Sequence, residues 1–168
     1  MPSRAATALT AFLAAAALSG CGGGEDVADA PGGTWTAALE PTAAWADLDP
    51  QATGTADVSS TGSTSVQLAV AGLRPDTAYM AHVHDAACDE DPPGGGHWLA
   101  DPDGEDAAGN IIELSFTTDA TGTATTTEST DLVPDDRAKS IVVHAPDELA
   151  EDEGADSNRV LCGDLTAE

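Results

Sequence analysis

The sequence predicts an all-β domain, an eight-stranded Greek-key β-barrel or sandwich with two long functional loops. From Thr34 onward, short segments rich in Thr, Val and Ile alternate with period two, the spacing of half-buried strands, and Gly, Asp and Pro punctuate the gaps. No segment carries a helical stripe of useful length. The chain has 168 residues, enough for one domain, and 41% hydrophobic residues supply a core although aromatics make up only 4%.

The N-terminal residues 1–20 read as a targeting segment: a basic start at Arg4, an apolar run from Ala5 to Leu18, then Leu18-Ser19-Gly20-Cys21. The small residues before Cys21 resemble a bacterial lipobox. That resemblance implies a diacylglyceryl group on the Cys21 thiol and an exported chain. Such a chain is lipid-anchored on the outer face of the bacterial cytoplasmic membrane, at the cell surface or in the periplasm. An ordinary cleaved signal and a weak transmembrane anchor are the alternatives. Residues 21–33, a Gly22 to Gly24 run and an acidic stretch, form a flexible tether.

The folded domain is expected over 34–168. Its strands fall at Trp35 to Leu39, Thr53 to Ser60, Thr64 to Ala71, Thr77 to His84, Ile111 to Thr117, Gly122 to Glu128, Lys139 to His144 and Arg159 to Asp164. Turn residues separate them at Gly62, Arg74-Pro75-Asp76, Asp119 to Gly122 and Pro134-Asp135. Two gaps exceed a plain turn: Asp85 to Asn110, with Pro92, Pro93 and a Gly94-Gly95-Gly96 run, and the acidic stretch Ala145 to Asn158. Loops of that length in a compact domain are usually functional.

Charge excludes some partners. Five Lys+Arg against 30 Asp+Glu leave a formal net charge of -25, and the basic residues Arg4, Arg74, Arg137, Lys139 and Arg159 are scattered along the chain. Nucleic acid is therefore not expected, since phosphate neutralisation needs clustered cations, and adhesion to an anionic membrane by charge alone is disfavoured too. Of the three cysteines, Cys21 is the lipid site. Cys88 and Cys162 remain as a pair that can bond in an oxidising space or stand as two free thiols.

The four histidines carry the chemistry. His82 and His84 lie two residues apart on one strand, so alternation puts both imidazoles on one face and Val83 on the other. His144 ends an apolar strand, and His97 follows a glycine run that lets the backbone fold closely back. One metal ion can reach His82 and His84 together.

The segments His82-Val83-His84, Gly95-Gly96-His97, Ser140-Ile141-Val142-Val143-His144-Ala145 and Arg159-Val160-Leu161-Cys162-Gly163 together resemble the copper/zinc superoxide dismutase family. Order and rough spacing agree over nearly the whole mature domain. The resemblance implies copper-dependent dismutation of superoxide to O2 and H2O2, with copper held by His82, His84, His97 and His144. It also implies a Cys88–Cys162 disulfide, Arg159 contacting the anionic substrate, and His97 as the proton carrier. The short gap from His84 to Cys88 departs from the family.

A larger departure lies after His97. The family's zinc needs two more histidines and an aspartate there, yet Trp98 to Gly109 contains no His, only Asp101, Asp103, Glu105 and Asp106. Carboxylates alone make a poor structural zinc site, so zinc is not expected. Asp106 falls near the family's zinc aspartate and is expected instead to orient a histidine. The acidic run otherwise reads as a solvated loop or a weak Ca²⁺ site, although its spacing fits no EF-hand.

The alternatives to the enzyme are a copper-binding or copper-storage lipoprotein of the same fold, and a β-sandwich adhesion module with incidental histidines. Arg159 beside Cys162 favours the enzyme, because holding copper has no need of it. Both monomers and dimers occur in the family, and no apolar interface strand decides between them. The loop between His144 and Arg159 has no lysine to guide an anion. Catalytic efficiency is therefore expected to stay flat or rise with salt, as screening weakens repulsion.

Overall fold

The computed structural model describes residues 32–168. The expected signal segment, Cys21 and all of the tether but Gly32 and Gly33 lie outside the described residues. The elements are β1 Gly33–Pro41, β2 Thr53–Ser60, β3 Thr64–Ala71, β4 Ala78–His84, β5 Glu113–Thr117, β6 Ala124–Thr130, β7 Ser140–His144, α1 Asp147–Glu153, β8 Arg159–Asp164 and β9 Thr166–Ala167.

All the strand pairs are antiparallel, in the order β5-β4-β7-β8-β1-β2-β3-β6. Because β5 and β6 come together at the seam, the sheet is a nearly closed all-β barrel. The strand β7 returns past β5 and β6 to lie beside β4, a Greek-key connection. Alternation made β2 and β3 easy to place: every second side chain of β2 is buried and the others are exposed. Leu39, Val58, Leu68, Tyr79, Val83, Leu114, Ile141, Val143 and Leu161 belong to one continuous core.

The strand β1 closes the barrel by changing partners. Gly33 to Leu39 pair with β2, whereas Glu40 and Pro41 pair with Cys162 and Leu161 of β8. The short β9 continues along the same edge, with Thr166 opposite Thr36 and Ala167 opposite Trp35. Gly163 lets the two chains approach: a Cβ there would lie 2.6 Å from the Ala38 carbonyl oxygen.

On the other side of the barrel, β4, β7 and β8 are not half-exposed. The last four residues of β4 and the first four of β7 are all buried, as are the middle four of β8. The long loops lie over the outer face and cover it. One is tied down by the Cys88–Cys162 disulfide. Its Trp98 is fully buried, with the indole N–H donating to Asp135 and Arg137 stacked over the ring. The other is held by Trp45 of the β1–β2 connection, whose indole N–H donates to the Ser157 carbonyl at 2.7 Å.

The second loop contains α1, although the sequence shows no helical stripe there. A helix this short buries little, here Ala150, so no stripe marked it. Its supports are local: Asp147 and Glu148 sit at the positive end of the helix dipole, and Gly154 closes the helix in the left-handed conformation at φ 70°. Several strand bounds also shift: β1 widens to Gly33–Pro41, β4 and β7 each start one residue later than expected, and β5 and β6 each start two residues later. Gly122 and Thr123 belong to a turn organised by the Asp119 carboxylate, so β6 begins at Ala124. Ile111 and Ile112 precede β5 as a connector whose Ile112 is buried.

Gly163→Ala is expected to destabilise the domain by about 2 kcal/mol, the scale of a core overpacking. Urea denaturation with an unchanged m-value checks it. A wild-type midpoint would show that β1 and β8 are free to move apart.

Candidate metal centre

The histidines sit on the covered outer face of the β4–β7–β8 ladder. In β4, Ala78, Met80, His82 and His84 face outward while Tyr79, Ala81 and Val83 enter the core. The register sets two rows across the sheet. One runs Glu113, His82, Val142, Cys162, and the next runs Ser115, Met80, His144, Arg159.

Arg159 reaches that row through a β-bulge. On a regular strand, residues three apart point to opposite faces, so with Cys162 outward Arg159 would enter the core. Instead Val143 pairs with Leu161 and His144 with Arg159, leaving Val160 as an extra residue that is buried in the core. Thr42 pins this bulge, its N–H donating to the Val160 carbonyl and its hydroxyl to the Arg159 carbonyl. The guanidinium donates to the Pro93 carbonyl in the covering loop.

His97 arrives from that loop. The glycine run folds it back as expected: Gly94, at φ 84°, lies so close to Val142 that a Cβ would be 2.6 Å from its side chain. His97 then pairs with His84 in an antiparallel bridge, flanked by the Trp98 N–H to Val83 carbonyl bond.

The four imidazoles converge, each offering one nitrogen within 4.8 Å of the others. The His97 ring centroid is 4.3 Å from that of His82 and 4.8 Å from that of His84. The Nε2 atoms of His84 and His144 are 3.2 Å apart. Nitrogens sharing one ion at a bond length of about 2 Å lie roughly that far from each other. Among the described residues no other His, Cys, Asp or Glu group of three or more converges in this way.

Outer partners decide which nitrogens face inward. His97 Nδ1 lies 2.8 Å from the Asp106 carboxylate, His144 Nδ1 lies 3.3 Å from the Asn158 side-chain oxygen, and His82 Nε2 lies 3.3 Å from Glu113. This leaves Nε2 of His97, Nε2 of His144 and Nδ1 of His82 free to bind. The His82 Nδ1 is buried and without a hydrogen-bond partner, as is the Nδ1 of His84. A buried, unpaired nitrogen aimed among three other imidazoles is the donor chemistry of a metal site, and these residues fit one.

Three of the four imidazoles are held neutral near pH 7 by burial. Burial pushes His84 down to about 2, helped by the neighbouring His144 and His97. Burial likewise pushes His144 down to about 4, against the Asn158 hydrogen bond. His82 is also lowered, by burial first and then by His97, with Glu113 opposing. Neutral imidazole is the binding form, so protons compete weakly for the site.

His82, His97, His144 and Arg159 line an open cleft of about 1040 Å³. Behind His97 a smaller cleft of about 450 Å³ is lined by Lys139, Arg137, Asp85 and Asp136. Thus three of the four cations among the described residues border the histidine cluster, although they are scattered in sequence. Arg74 is elsewhere, paired with Asp49 and Glu153.

The structure brings the sequence-predicted residues His82, His84, His97 and His144 together, with Arg159 in their cleft, Asp106 against His97 and Cys88 bonded to Cys162. Asp101, Asp103 and Glu105 join no such group; their exposed loop is organised by the Asn110 side chain. Sequence reasoning missed Glu113, Asn158, Thr42 and Trp45. Asn158 had one available signal, a short polar side chain just before Arg159. A scan against protein-family models finds no match, and a search of curated proteins finds none either.

Acid should unfold the metal-free protein in a defined window. His84 and His144 have folded values below the ordinary 6.5, so the unfolded chain binds the extra protons. Their stabilisation is complete above about pH 6.5 and is lost as pH falls, down to about 4 for His144 and about 2 for His84. Each should contribute a slope of about 1.4 kcal/mol per pH unit. Urea titrations at pH 7, 6 and 5 should show a steeper loss for the native protein than for His84→Asn/His144→Asn, and equal slopes would contradict this reading.

Proposed function

We propose that the chain is an exported, copper-dependent superoxide dismutase, tethered to the membrane through Cys21. The observation that supports this most is the convergence of four imidazoles, three of which line one open cleft together with Arg159. Among divalent first-row ions, copper binds imidazole most strongly, and the donor set includes no thiolate. Bound copper would supply the one-electron chemistry by which one superoxide is oxidised to O2 and another reduced to H2O2.

The chain's own residues would do the rest. His82, His84, His97 and His144 hold the ion. Arg159, fixed by the Pro93 carbonyl, orients the anion from the cleft side. His97 is suited to carry a proton on Nε2: its side chain is 24% exposed against 9% for His82, and its Nδ1 is engaged by the Asp106 carboxylate at 2.8 Å. Lys139 and Arg137 lie behind it in a cleft shared with Asp85 and Asp136, and Arg137 is paired with Asp135. The disulfide is compatible with an oxidising exported location.

A copper-storage role is favoured by one feature, the net charge of -25, which repels an anionic substrate. Metal analysis with a superoxide assay, before and after copper loading, separates the two. The enzyme predicts copper near one per chain, loss of activity in His144→Ala, and a fall on the order of a hundredfold in Arg159→Ala with copper retained. Tight copper binding without activity assigns the chain to storage.

The salt dependence follows from the charge distribution. The acidic surface acts over distance, whereas Arg159 acts at the metal, and a Debye length of about 8 Å at 0.15 M screens the first and spares the second. Stopped-flow kcat/KM should stay flat or rise from low salt to 0.15 M, and a steep fall would refute it.

A further inference from the structure

We propose that Met80 is the capture ligand for cuprous copper, taking the ion at the mouth of the cleft and passing it through His144 into the histidine cluster. This rests on the copper reading above. Met80 is the one large hydrophobic side chain exposed among the described residues, at 39%. It is also their only methionine, and Cys88 and Cys162 are bonded to each other, so its sulfur is their only free soft donor. A thioether suits Cu(I) and has little preference for Cu(II), which favours nitrogen and oxygen.

Placement turns this exposed side chain into part of a route. Met80 is two residues before His82 on the outward face of β4 and directly opposite His144 on β7. Facing pairs in an antiparallel ladder have Cβ atoms about 5 Å apart, so the sulfur and the imidazole can hold one ion together. Both line the cleft that contains Arg159. His84, by contrast, is fully buried and His82 nearly so, which leaves His144, next to Met80, and His97 as the two histidines that solvent reaches.

The transfer is a ligand exchange without a change in oxidation state. A neutral sulfur and a neutral imidazole bind Cu(I) weakly enough to release it, and the deeper imidazoles then outnumber the thioether. Ser115 flanks Met80 on its other side in β5 and offers no competing soft donor.

The test compares the wild type with Met80→Leu, which keeps the apolar bulk and removes the sulfur at an exposed position where folding is not at stake. Purified protein is mixed anaerobically with the coloured Cu(I)–bicinchoninate complex, and transfer is read from the loss of colour. Loading with Cu(II) salt is followed in parallel, and final copper per chain is measured. Met80→Leu should slow Cu(I) transfer about tenfold, the effect of losing one weak donor bond, with Cu(II) loading and final copper content unchanged. Equal Cu(I) rates, or equal slowing with both ions, would overturn the capture role while leaving the copper site intact. If the wild type takes up neither ion, the copper reading fails and the capture role fails with it.

Discussion

A single extra residue in β8 decides whether the histidine cleft holds a cation. Cys162 must face outward to reach Cys88, and strict alternation would then send Arg159 into the apolar core. The bulge at Val160 resolves the conflict: burying Val160 beside Leu161 anchors the strand, and Arg159 emerges opposite His144. The fold holds this irregular backbone from outside the site, since both Thr42 bonds come from the β1–β2 connection. Trp45, from the same connection, fixes Ser157 one residue before Asn158. A segment that contributes no ligand thereby positions both the Arg159 guanidinium and the partner of His144.

The same ladder organises charge. Over the whole chain acids outnumber bases six to one, 30 against 5, yet the folded molecule gathers Arg159, Arg137 and Lys139 around the histidines. Net charge acts over the long distances that salt screens, whereas Arg159 acts within the histidine cleft itself. For the proposed reaction this separates encounter from orientation. The acidic surface slows the approach of an anion, and the cleft still offers one that arrives a fixed guanidinium and neutral imidazoles.

The legible part of the fold was whatever depends on local periodicity. β2, β3 and β8 fall at the bounds expected from alternation, and His82 and His84 share a face because two residues of strand dictate it. The glycine run before His97 was legible because close chain approach has few sequence solutions. What could not be read depends on pairing between distant strands. Glu113 meets His82 only because β5 lies beside β4, and Asn158 meets His144 only because the acidic loop closes back. The bulge was hidden in particular, since Val160 and Leu161 read equally well as a regular buried pair. The helix α1 escaped notice because its stability comes from end effects and not from a buried face.

Burial links these features energetically. Covering the outer face of the ladder removes His82, His84 and His144 from water and keeps them neutral, but it strands the Nδ1 atoms of His82 and His84 without partners. A buried polar atom left unpaired costs about 1–3 kcal/mol. The fold carries that cost because the ladder, the disulfide and the two tryptophan anchors over-determine the loops. An ion that pairs with the imidazoles relieves part of it, so metal affinity and folding stability are coupled through the same nitrogens. The coupling also explains why the outer partners matter: Glu113, Asp106 and Asn158 each occupy the nitrogen that faces away, and so determine which one is left for the ion.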